Sequence, residues 1–219
     1  MAPVLQVLDL GLSPYREAWA RQQQLVDERR ADARPDTLVL CEHPHVFTLG
    51  RRAGARANVI APGDVPIVEV ERGGDVTYHG PGQLVGYPIF KLAPEEQDLH
   101  RFLRGLEEAL IRALQASVGL AAGRKQGATG VWAAGKKVAS LGVAVRNWVT
   151  FHGFALNVST DLAYFGRISP CGLRPEVMSS LEQLLGRAVT FAEVTPAVVA
   201  SLAEVFGRQV DGDRAGPVR

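Results

Sequence analysis

Cysteine, methionine and aromatic side chains are scarce in this chain, with 2 Cys, 2 Met and 7% Phe, Trp and Tyr among 219 residues. Two cysteines, Cys41 and Cys171, make no disulfide framework, which excludes a small stapled secreted scaffold. A thiol kept reduced for chemistry is expected in the cytoplasm. Charge of one sign is also missing: 24 Lys and Arg stand against 23 Asp and Glu, a net +1. Nothing global therefore points to nucleic acid or to a membrane surface. No run of apolar residues is long enough for a membrane helix. The segment from Met1 to Gly11 is apolar, lacks a basic flank and carries Asp9, so it reads as a first strand and not as a signal peptide. Repeats, low-complexity tracts and linkers are absent. Hydrophobic residues make up 47% and charged residues 21%, values typical of a globular chain. One domain spanning 1–219 is expected.

What the chain has is glycine, concentrated in Arg72-Gly73-Gly74-Asp75-Val76-Thr77-Tyr78-His79-Gly80-Pro81-Gly82-Gln83. A plain turn needs one or two residues of positive φ. Twelve small and polar residues suggest a backbone shaped around a ligand, because glycine admits close approach to main-chain N–H groups.

Around this run the pattern alternates between strands and a few helices. Ser13-Pro14 predicts a helix start, with the helix running to about Arg30. Residues 37–41, 46–49, 67–71 and 84–90 read as strands. Asp98 caps a helix whose stripe is Leu99, Phe102, Leu103, Leu106, Leu110 and Leu114. Strands dominate 130–158, with Ala134-Gly135 as a hairpin turn. Helices are expected over 176–185 and after Thr195-Pro196. The order implies an α+β fold, a single domain with a mixed β-sheet flanked by helices.

Two motifs fail. Gly130 to Lys137 almost matches a phosphate-binding loop, but Lys137 stands where Ser or Thr must hold magnesium, and a strand follows instead of a helix. Cys41-Glu42-His43-Pro44-His45 has metal-capable side chains but no second ligand cluster, so no metal site is expected. Cys41 ends an apolar strand and reads as structural. Cys171, in Ser169-Pro170-Cys171-Gly172, suits a thiol presented on a turn. A thiol nucleophile needs a partner for its proton. His79, His152 and Lys137 are the candidates; a lysine directed inward from an apolar strand is partly desolvated, which lowers its pKa toward the range of a base.

The segments RGGDVTYHGPGQLVGYPI (Arg72 to Ile89), GVWAAGKKVASLGV (Gly130 to Val143), FHGFALNVSTDLAYF (Phe151 to Phe165), SPCG (Ser169 to Gly172) and EHPHVFTLG (Glu42 to Gly50) together resemble the lipoyl(octanoyl) transferase family. The resemblance runs from about Leu38 to Leu181. It implies a fold like the catalytic domain of biotin and lipoate protein ligases. It also implies transfer of an octanoyl group from acyl carrier protein to a lipoyl-domain lysine, through a thioester on Cys171 with Lys137 as acid/base. By the same resemblance Arg72, Gly73, Gly74, Asp75, Val76, Thr77, Tyr78 and His79, with Ser140, Leu141 and Gly142 and with Gly153, Phe154 and Ala155, line the acyl site. The implied partners are acyl carrier protein, whose phosphopantetheine carries the substrate, and the lipoyl domains of 2-oxoacid dehydrogenase complexes and glycine cleavage H protein. No ATP, metal or other cofactor is expected, nor nucleic acid or membrane, and a monomer is expected. The alternative is an ATP-dependent lipoate or biotin protein ligase, which needs no nucleophilic cysteine.

Overall fold

The computed structural model describes residues 2–169 and 177–211. Its centre is an eight-stranded mixed sheet, ordered β11-β1-β2-β6-β10-β9-β8-β7. These are β1 (Val4–Leu12), β2 (Asp36–Glu42), β6 (Gln83–Ile89), β7 (Gly123–Lys125), β8 (Ala128–Ala133), β9 (Lys136–Arg146), β10 (Val149–Asn157) and β11 (Gln209–Val210). β1 runs parallel to β2 and β11, and the remaining pairs are antiparallel. A second sheet is ordered β4-β3-β5, from β3 (Val46–Leu49), β4 (Ile67–Glu69) and β5 (Val76–His79).

Strand periodicity sorts the two faces of the large sheet. Leu38, Leu40, Leu84 and Leu156 pack beneath the helices α2 (Leu99–Val118) and α4 (Phe191–Val205). Val39, Cys41, Val85 and Tyr87 face the other way, toward Leu25 and Val26 of α1 (Tyr15–Arg30). Cys41 is buried and free, as its apolar strand implied. The small sheet has its own core of Phe47, Leu49, Val76 and Tyr78, closed by Phe165, Ile168 and Met178.

The helix ends follow local chemistry. Asp98 Oδ1 accepts from the amides of His100 at 2.8 Å and Arg101 at 3.1 Å, and Gly119 in the left-handed region ends α2. Ala134-Gly135 forms the expected two-residue turn with φ of 48° and 75°, and Asn147-Trp148 forms a second one, which no glycine marks. Three expectations on boundaries are corrected. Pro14 sits in the cap position of α1 and not inside it, and no side chain caps that helix. α4 starts at Phe191, not after Thr195, because Thr190 and Glu193 form a reciprocal capping box, and Pro196 falls inside the helix. α3 covers only Leu181–Leu185, capped by Ser180; Glu176, where it was expected to begin, lies outside the described residues.

The segment between α4 and β11 is tied to the sheet. Arg208 Nε donates to Asp36 Oδ2 at 3.0 Å, and Arg29 Nε donates to Asp36 Oδ1 at 2.7 Å. Both Arg208 and Asp36 are buried.

Candidate active site

The glycine-rich run crosses from β4 into β5 and lies against β9. The amide of Gly73 donates to the carbonyl of Val143 at 2.9 Å. The close approach depends on Gly142, the residue next to Val143. A Cβ on Gly142 would sit 3.0 Å from the Gly73 carbonyl oxygen and 3.2 Å from Arg72 Cδ. Gly74 takes φ of 89°, which L side chains rarely adopt.

Two charged residues fix the loop from inside. Arg72 is buried and donates from Nη2 to the carbonyl and hydroxyl oxygens of Thr48, at 2.8 and 2.9 Å. Asp75 Oδ1 accepts from the Val76 amide at 2.7 Å, and Oδ2 accepts from Asn58 Nδ2 at 2.7 Å. Both side chains thus shape the loop, which presents main chain to the space beyond it.

That space is a cleft of about 570 Å³. Residues 72–77 form one wall; Lys137 and residues 140–143 form the other. Leu99, His100 and Leu103 of α2, Phe165, Met178, Arg52 and residues 127–129 complete the lining. The sequence stripe placed Leu99 and Leu103 among the buried residues of α2, and nothing in that stripe distinguishes a cleft wall from core.

Lys137 is half-buried on β9, while its neighbour Lys136 is exposed. Its stem runs across Gly130 of β8. A Cβ there would come 2.5 Å from Lys137 Cε and 3.2 Å from Nζ, and Gly130 itself has φ of 136°. The Nζ stands 6.0 Å from the centroid of the Trp132 ring, which Lys125 also approaches at 4.6 Å. The Lys137 carbonyl accepts from the Ser179 amide at 3.0 Å, and Met178 forms a bridge to Lys137.

A smaller chamber of about 40 Å³ lies behind the cleft. The two share Arg72, Thr77, Ser140, Leu141 and Gly142 as lining. The chamber adds His79, Gly153, Phe154 and Ala155, and also Tyr15, Tyr87 and His152. Gly153 lets β10 pass close to β6, since a Cβ would overlap the Gly86 carbonyl; the Phe154 ring covers Gly86 in turn. Tyr78 lines neither space. Its hydroxyl pairs with His45 Nδ1 at 2.7 Å and its ring stacks on Tyr164.

Arg72 is the charged group in the chamber wall, and the histidines in and behind that wall are held neutral. His43 Nδ1 lies 2.7 Å from the Ser13 carbonyl, and Nε2 lies 2.7 Å from the Tyr87 hydroxyl. A carbonyl accepts only, so Nδ1 carries the proton, and Nε2 accepts from Tyr87. Burial holds the His43 pKa down to about 4, partly opposed by the bond to Ser13. Burial, then the Arg72 guanidinium, holds His152 down to about 3. Burial takes His79 well below the usual imidazole value, with His43 adding to the effect. The same desolvation pushes the Tyr15 and Tyr87 phenols up. The two His152 ring nitrogens have no hydrogen-bond partner among the described residues. His152 and Lys137, two of the candidate bases, therefore occupy different compartments.

Cys171 lies outside the described residues. The described chain on either side of it is anchored at the cleft. The Ser169 amide donates to the Asn58 carbonyl at 2.8 Å, and Asn58 also holds Asp75. Met178 lines the cleft beside Lys137. Among the described residues no group of three or more His, Cys, Asp or Glu is placed to hold a metal ion, and no helix is long and apolar enough to cross a membrane.

The fold is that of the lipoate and biotin protein ligases. Lipoate-protein ligase A bound with ATP superposes with a TM-score of 0.69 at 16% identity, covering 98% of this chain and 91% of its own. Biotin protein ligase from Aquifex aeolicus gives 0.53 at 13% identity, over 94% of this chain and 70% of its own. The chain belongs to the lipoyl protein ligase A/B catalytic domain family, whose model matches residues 14–203. Within it, the chain is 50% identical over 206 residues to the octanoyltransferase of Gloeobacter violaceus, covering 94% of this chain and 91% of that protein.

Proposed function

We propose that the protein is an acyltransferase that moves an octanoyl group from acyl carrier protein to a lipoyl-domain lysine, by way of a thioester on Cys171. Half-identity to proteins named octanoyltransferase over nearly the whole chain supports the reaction. The observation that carries the mechanism is the anchoring of the chain on both sides of Cys171 at the rim of the cleft that Lys137 lines.

In this reading the thioester carbon sits in the cleft between the wall of Lys137 and residues 140–142 and the facing wall of residues 72–77, and the alkyl tail enters the chamber through the lining the two spaces share. Lys137 accepts the Cys171 proton. The thiolate attacks the thioester carbonyl, and the tetrahedral intermediate expels the phosphopantetheine sulfur, which takes that proton back from the Lys137 ammonium. A lipoyl-domain amine then attacks the Cys171 thioester, gives its proton to Lys137, and Cys171 leaves as thiolate. One thioester replaces another in the first half; the amide formed in the second makes the sequence one-way. Residues 72–77, 79, 140–142 and 153–155 contact the acyl group; Tyr78 supports the loop from behind. No step requires ATP, a metal or another cofactor.

Arg52 lines the cleft, and Arg51 beside it, with Lys125 and Lys136 on the β7–β9 hairpins, are exposed cations. They suit acidic partner domains such as acyl carrier protein and the lipoyl domains of 2-oxoacid dehydrogenases and glycine cleavage H protein.

The test is transfer from octanoyl-carrier to an apo lipoyl domain with and without ATP, with mass spectrometry of the enzyme between the half-reactions. The expected result is ATP-independent transfer and an octanoyl adduct on Cys171. Full transfer by Cys171→Ser would overturn the thioester mechanism, and an absolute requirement for ATP would favour a ligase.

A further inference from the structure

Lys137 is held against a glycine, and that glycine is held by a carboxylate from another element. Glu107 lies in the middle of α2 and is fully buried. Its Oε1 accepts from the backbone amide of Gly130 at 2.9 Å. Its Oε2 accepts from Arg104 Nη1 at 2.5 Å and from Arg124 Nε at 3.1 Å. A buried carboxylate is tolerated where its oxygens are this fully engaged.

The bond reaches Gly130 where the β8–β9 ladder is irregular. Val131 pairs with Ala139 and Trp132 with Lys137, so β9 carries one extra residue between them. Such a bulge re-aims side chains on the strand that contains it. Gly130 takes φ of 136°, a conformation open to glycine, and the Lys137 stem fills the space its side chain would need. A buried charge-assisted hydrogen bond to the main chain is among the stronger restraints a side chain can supply.

We infer that Glu107 is a positioning residue for the Lys137 amine: by fixing the Gly130 main chain it sets the floor on which the lysine stem lies. Arg104 and Arg124 neutralise the carboxylate from the solvent side and leave the other oxygen for the amide. The inference rests on Lys137 being the acid/base of the proposed reaction.

The test compares Glu107→Gln and Glu107→Ala with the wild type and with Lys137→Met. Glu107→Gln keeps the shape but puts an amide where two arginines donate. For a folded Glu107→Gln protein, kcat for octanoyl transfer should fall by about 10- to 100-fold, the scale expected when a reacting group is displaced by an ångström. KM for the octanoyl-carrier should change by less than about two-fold, since the groups that bind substrate are untouched. A second readout does not use activity: reaction of Lys137 with a trace amine-labelling reagent, measured by mass spectrometry against the exposed lysines Lys125 and Lys136. Release of the stem should bring its labelling rate to theirs in either Glu107 variant. If Lys137 labels as in the wild type and kcat is unchanged in folded Glu107→Gln, the positioning role is overturned. If Lys137→Met transfers at the wild-type rate, the acid/base reading fails instead, and the labelling still reports whether Glu107 places the lysine. Should Glu107→Ala not fold, Glu107→Gln carries both measurements.

Discussion

The Ser179 amide donates to the Lys137 carbonyl at 3.0 Å, so the chain that has just passed Cys171 returns onto the strand that carries the lysine. The two residues most important to the proposed chemistry are far apart in sequence, yet one backbone hydrogen bond ties their neighbourhoods together. The Ser169 amide makes the matching tie at the other end, to Asn58 beneath Asp75.

Replacing Lys137 with alanine should lower octanoyl transfer by roughly 10²- to 10⁴-fold, the usual worth of a positioned acid/base group. The reading is single-turnover formation of the Cys171 adduct. A rate within two-fold of wild type would shift the role to another base. His152 is already neutral down to a pH of about 3, so it contributes no bend to the pH–rate profile between 5 and 8. A bend near 6.5 that vanishes in His152→Gln would contradict that placement.

The buried histidines make stability depend on pH in a defined direction. His43 and His152 titrate in the folded protein at about 4 and about 3, but near 6.5 when unfolded. Between these values the unfolded chain binds more protons, so stability is fully present above about pH 6.5 and is lost as pH falls through 5 and 4. Each residue contributes on the order of 3 kcal/mol across that window. Urea unfolding at pH 7.5, 6, 5 and 4 measures it. His43→Gln should flatten the curve, and an unchanged slope would contradict the assignment.

Gly142→Ala should lift the glycine-rich loop from β9. The new methyl would meet the Gly73 carbonyl at 3.0 Å and Arg72 at 3.2 Å, and neither partner is a loose side-chain end. Overpacking of this kind costs about 1 to 3 kcal/mol. Its signature is a raised KM together with faster hydrogen exchange at the Gly73 amide. Normal protection there would show that the loop tolerates the methyl.

Asp36→Asn tests the anchor of Arg208. Arg208 keeps the Glu96 carboxylate, to which its Nη2 donates at 3.0 Å, but its Nε loses a charged acceptor, and a buried hydrogen bond to a charged group is worth about 1.5 to 3 kcal/mol. The midpoint of thermal unfolding should fall by several degrees while kcat below that midpoint stays near wild type. A large loss of kcat in a folded variant would mean that the anchor reaches the cleft.

The elements were legible where sequence and local physics agree. The α2 stripe, its Asp98 cap and the Ala134-Gly135 turn are each specified by neighbouring residues. The start of α4 was misplaced because Thr195-Pro196 imitates the cap that Thr190 and Glu193 form. Residues 72–77, 137 and 140–142 come together on one cleft, and their motifs were visible in the sequence. The chamber was not, because Tyr15 and Tyr87 reach it from a helix and a strand whose patterns record only burial. Glu107 was hidden for a related reason: within a helical stripe, a buried carboxylate is not distinguishable from a solvated one.

With the acyl tail in the chamber, as proposed, the site is a ruler. In the proposed reading the carbonyl is fixed at Lys137, so the tail is measured from that point to Tyr15 and Tyr87. Each methylene that fits within the wall gains about 0.8 kcal/mol, and the first that does not must displace a packed ring. The graduation of this ruler is written on α1 and β6, outside the segments that hold the lysine and the cysteine. Substitutions at Tyr15 or Tyr87 can therefore reset the preferred chain length while the chemistry stays where it is.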